Sequence, residues 1–97
     1  MFALSFTSRS QDDLEFLRAN PALSKRRKAV ESAIGKLQTN PRYPGLNTHK
    51  FGGMIGPNGE EVFEAYAENN TPGAYRIFWV YGPGKNTITI IAITPHP

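Results

Sequence analysis

Cysteine is absent from this chain. That excludes disulfides, thiolate nucleophiles and thiolate metal ligands, and it is compatible with a reducing cytoplasm, where the chain is expected to work. Histidine is nearly absent too: His49 and His96 are the only imidazoles. The eight acidic residues are scattered, so no spacing resembles a zinc site, and neither a metal nor a cofactor is expected. No apolar run approaches the ~20 residues that cross a bilayer, so no membrane partner is expected. The opening MFALSFTSRS has no basic segment and too short an apolar stretch for a signal peptide. Repeats and low-complexity tracts are missing as well. What remains, 97 residues with 39% hydrophobic content, suits one α+β domain, residues 1–97, with a single modest core. The net charge of +3 points weakly towards an anionic partner.

Residues 2–6 (FALSF) alternate apolar and small side chains and read as a short strand. Ser10 to Asp13 resembles a capping box opening a helix that carries Leu14, Phe16 and Leu17. Proline cannot continue a helix, so this one stops near Asn20-Pro21. Leu23, Arg27, Val30, Ile34 and Leu37 fall at helical spacing and predict a second, amphipathic helix over 22–38. The very short link between them predicts a helical hairpin. Residues 46–60 are glycine-rich and read as irregular, with a turn at Pro57-Asn58-Gly59. Three strands are predicted after it, at 62–67, 75–81 and 87–94. The middle one is apolar on both faces and therefore central. The order is β-α-α-β-β-β, with the hairpin packed on one face of a small, mainly antiparallel sheet.

Several motifs dissolve on inspection. Gly82-Pro-Gly-Lys-Asn-Thr87 resembles a phosphate loop, but Trp79 stands where the pattern needs glycine, and a strand follows instead of a helix. Asn69-Asn-Thr71 matches a glycosylation sequon that is idle without secretion. Lys25, Arg26, Arg27 and Lys28 place four cations at a helix start, where the macrodipole is already positive. They form either a solvated face or a phosphate-binding cluster for RNA. Arg76 is the only charge between Ala74 and Tyr81. It has two readings: a structural pair, for example with Glu64, or a planar fork presented to phosphate. His96 stands between two prolines, Pro95 and Pro97, which limit its backbone freedom.

The order of elements, the Asn40-Pro41…Pro44-Gly45-Leu46…His49-Lys50 link, the Gly73-Ala-Tyr-Arg-Ile-Phe-Trp79 strand and the His96 ending together resemble the RelE/ParE superfamily, small toxins of bacterial type II toxin–antitoxin systems. The resemblance covers nearly the whole chain. It implies a cognate antitoxin as partner. It also implies either a metal-independent endoribonuclease cleaving mRNA on the ribosome, or a ParE-like non-catalytic inhibitor of DNA gyrase, or a degenerate non-toxic relative. Under the nuclease reading Arg76 resembles the family's arginine, His96 its C-terminal acid or base, and Lys50, with His49, the basic residues that hold the RNA backbone. Where some members have a tyrosine after that histidine, this chain has Pro97. No residue matches the family's glutamate base; Glu64 is the substitute.

Overall fold

The computed structural model describes residues 1–95. Strand β1 (Ala3–Phe6) leads into helix α1 (Ser8–Ala19), and a 3-10 turn, Pro21–Leu23, leads into helix α2 (Ser24–Thr39). Four strands follow: β2 (His49–Ile55), β3 (Glu61–Tyr66), β4 (Tyr75–Tyr81) and β5 (Thr87–Pro95). The start of α1 lies upstream of the predicted capping box. Thr7 is the N-cap, its hydroxyl accepting from the Ser10 amide at 3.2 Å. Ser10 lies inside the helix, fully buried, and donates to the Ile90 carbonyl at 2.7 Å. Two hydroxyls at one helix start thus satisfy an orphan amide and tie α1 to β5.

The sheet runs β1-β5-β4-β3-β2, with β1 parallel to β5 and every other pairing antiparallel. The α+β class and the hairpin on one face of a mainly antiparallel sheet are as the sequence predicts. Strand β2 is an addition, lying inside the glycine-rich segment read as irregular. Alternation along β4 sorts the sheet into two faces. Tyr75, Ile77 and Trp79 join Leu14, Leu17, Val30, Ala33 and Leu37 of the helices in the larger core.

The other face is not open, as the single helical layer would suggest. Val62, Phe78, Val80 and Ala92 form a second buried cluster there, with Phe51 and Met54 of β2 against it. Strand β2 itself supplies the cover. Its pairing with β3 shifts register between Lys50 and Ile55, and Phe51 lies 4.9 Å from Phe78, ring centre to ring centre. Glycine makes this possible at two points. A Cβ on Gly53 would stand 2.7 Å from the Phe51 ring, and one on Gly56 would stand 3.0 Å from Val80 Cγ1. No helix is long and apolar enough to cross a membrane among the described residues.

Candidate active site

Beyond the second cluster, the same face of the sheet becomes polar. Register decides which side chains meet there: His49 pairs with Glu64, and Tyr66 with Arg76. Directly opposed residues on neighbouring strands bring their side chains to one face. Thr94 of β5 stands across Arg76 on its other side.

Glu64 is the centre of this group and is 2% exposed. Its Oε1 lies 2.7 Å from His49 Nε2, and its Oε2 lies 3.8 Å from Arg76 Nε. The other ring nitrogen of His49, Nδ1, lies 2.7 Å from the carbonyl oxygen of Asn47, a residue in the left-handed conformation at φ 47°. Arg76 is buried at 7% exposure, with its guanidinium 3.6 Å above the centre of the Tyr66 ring. One of its terminal nitrogens donates to the carbonyls of Glu68, at 2.5 Å, and Tyr75, at 3.3 Å. Its Nε–H makes no hydrogen bond among the described residues. The His49 ring meets Tyr66 edge-on at 5.6 Å. The guanidinium's charge compensates the desolvation of the buried carboxylate, the imidazole adds a short hydrogen bond, and the aromatic face adds a cation–π contact for the guanidinium.

The structure therefore unites His49, Glu64 and Arg76 and separates them from Lys50 and from the basic run at 25–28. Of the two sequence readings of Arg76, the geometry contains the pair with Glu64. Lys50 pairs in register with Phe63, on the helix-facing side, and its ammonium lies 3.4 Å from Glu61, both groups exposed. In the basic run, Arg26 fastens the 68–73 loop, donating to the carbonyls of Gly73 and Pro72 and to Glu68. Arg27 pairs with Glu31 at 2.8 Å, whereas Lys25 and Lys28 are exposed. His96 lies outside the described residues. Tyr66 is the member that sequence reasoning missed. Its signal was available: in a strand, the residue two after Glu64 shares its face. No three His, Asp or Glu side chains are arranged to hold a metal ion among the described residues.

The sequence matches no protein-family model and no curated protein. Solved structures do match. A YoeB/ParE toxin from Agrobacterium tumefaciens superposes with a TM-score of 0.72 at 15% identity, over 98% of this chain and 99% of that one. The chain has the fold of the RelE/ParE toxins. A YoeB dimer from Staphylococcus aureus gives 0.70 at 13% identity, over 99% and 98% of the two chains. The intact RelBE toxin–antitoxin complex from E. coli gives 0.62 at 16%, over 100% of this chain and 99% of the matched one. A RelE/ParE-type fold thus accounts for nearly all of the residues aligned on both chains in each comparison.

Proposed function

We propose that this chain is the toxin of a type II toxin–antitoxin pair, a metal-independent endoribonuclease that cleaves mRNA on the ribosome. The observation that carries the toxin reading is the full-length likeness to toxin structures, one of them in complex with its antitoxin. The nuclease reading draws on the chemistry gathered at the end of the sheet. Cleavage by the RNA's own 2′-hydroxyl needs a base, an acid and a cation for charge developing on phosphorus. Imidazole titrates near neutrality and suits proton transfer. Arginine suits the phosphoryl oxygens, and Arg76 Nε–H is a donor without a hydrogen bond among the described residues. In this reading Arg76 is the transition-state clamp, His96 an acid–base group, and Lys50, Lys25 and Lys28 contact the RNA backbone. The partner that silences it is a cognate antitoxin.

Burial of Arg76 against Glu64 favours a second reading, a ParE-like inhibitor of DNA gyrase that binds without cutting. Primer extension on transcripts after induced expression separates the two. The expected result is discrete cleavage sites that vanish in Arg76→Ala and in His96→Ala. Intact transcripts together with loss of gyrase supercoiling would establish the second reading instead.

A further inference from the structure

The turn that joins β3 to β4 has little of its own to hold it. Residues 69–73 are exposed, and Asn70 and Gly73 sit at positive φ, 53° and 65°. Its internal hydrogen bonds are local: Thr71 Oγ1 donates to the Asn69 carbonyl, and the Ala74 amide to the Thr71 carbonyl. What fastens the turn comes from the helical side of the sheet. Arg26, in the first turn of α2, donates from one terminal nitrogen to the Gly73 carbonyl at 2.6 Å and to Glu68 Oε1 at 3.2 Å. Its other terminal nitrogen donates to the Pro72 carbonyl at 3.0 Å. The same Glu68 oxygen accepts from the Tyr75 amide at 3.1 Å, and the Arg26 guanidinium lies 5.6 Å from the centre of the Tyr75 ring. One planar fork thus clasps both arms of the turn, Glu68 on the way out and Pro72-Gly73 on the return.

The outgoing arm is also what holds Arg76. The Glu68 carbonyl accepts from a terminal nitrogen of Arg76 at 2.5 Å, and the Tyr75 carbonyl lies 3.3 Å from the same nitrogen. The Tyr66 ring beneath the guanidinium fixes its height but leaves its rotation in the plane free. The two carbonyls set that rotation, and with it the direction in which Nε–H points. An arginine side chain has many rotamers, whereas a group that meets a reacting phosphate has to be held within about 0.5 Å of its working place. We infer that Arg26 is a positioning residue for the Arg76 guanidinium, acting from the opposite face of the sheet through Glu68 and the 68–73 turn. Its catalytic consequence rests on the nuclease reading above. Arg26 thereby leaves the RNA-contact set in which the sequence placed it, because its side chain is only 26% exposed and its fork is spent on three protein acceptors. A lysine cannot take its place: an ammonium is a point charge, and a single nitrogen does not span both arms of the turn.

Two measurements test this, one without any activity. In proton–nitrogen-15 NMR of the purified chain, the Arg76 Nε–H resonance is assigned by its disappearance in Arg76→Lys. In Arg26→Lys and in Arg26→Gln that resonance is expected to move towards the position of a free arginine and to exchange faster with water. An Arg76 signal unchanged in both, with circular dichroism reporting the parent fold, would overturn the inference. So would the loss of the fold in both variants, which would make Arg26 a stability residue alone. In RNA cleavage, Arg26→Lys is expected to lower kcat by roughly 10- to 100-fold, as misplacement of a catalytic group does, with KM nearly unchanged. A raised KM with the parent's kcat would instead mark Arg26 as an RNA contact. In an Arg76→Ala background, adding Arg26→Lys should cost nothing further, because the group it positions is gone. If Arg26→Lys cuts like the parent while Arg76→Ala does not, the inference fails and the nuclease reading stands. If the parent chain does not cut RNA, the nuclease reading and the catalytic role fall together, and the NMR result still decides whether Arg26 holds the guanidinium.

Discussion

Glu64 sits between a histidine and an arginine, and its removal should be costly. An arginine left buried without its carboxylate costs about 3–5 kcal/mol, and Arg76 is 7% exposed. Glu64→Ala is therefore expected to lower the unfolding free energy by about that amount in urea titration. The paired replacement Glu64→Leu with Arg76→Met should recover most of it, because apolar side chains of similar volume need no compensation. A second residue sets behaviour in alkali. Burial pushes the Tyr75 hydroxyl above its ordinary value near 10, with Arg26 opposing and Asp13 and Glu68 adding to the rise. A group whose value is raised on folding contributes stability that is whole below the unfolded value and is lost as pH climbs through the folded one. The chain should lose stability above about pH 10, and Tyr75→Phe should flatten that loss in thermal melts.

Among the elements, α2 carries its sequence conflict openly. Lys25 and Lys28 are exposed in the first turns of a helix whose N-terminus is already positive. Arg26 and Arg27 have structural partners that account for them, the 68–73 loop and Glu31. Lys25 and Lys28 make no hydrogen bond or ion pair among the described residues, and under the nuclease reading they are the pair proposed to meet RNA phosphates. Lys25→Glu should stabilise the helix by about 0.5 kcal/mol through the dipole. Lys25→Glu with Lys28→Glu should weaken RNA binding and reduce the salt dependence by about 1.4 in log–log slope, the single-strand value for two phosphate contacts. Binding with unchanged slope would mark these lysines as a solvated face. Strand β2 shows the opposite case, an element whose local sequence argues against it. Its Gly52-Gly53 pair lacks the side chains that favour strands, yet the second gives room for the Phe51 ring that closes the far cluster.

For the molecule as a whole, both clusters are built on one sheet, and β4 contributes to each: Trp79 to the larger, Phe78 to the smaller. They should unfold together. Phe78→Ala is expected to cost about 3–5 kcal/mol, as for other fully buried phenylalanines. The loss should appear equally in Trp79 fluorescence and far-ultraviolet circular dichroism, although Trp79 lies on the opposite face; separate transitions would show two independent units. The sequence by itself determined the helical hairpin, the central place of β4 and the spans of the last three strands to within a residue, because hydrophobic period and proline placement are local properties. It also singled out Arg76 by its charge in an apolar strand. Only the tertiary structure decided that β2 exists, that it covers the second face, and that His49, Glu64 and Arg76 share one side while Lys50 turns away. Those outcomes depend on strand register, where a shift of a single residue sends a side chain to the other face, and register is fixed by pairing between segments distant in the chain.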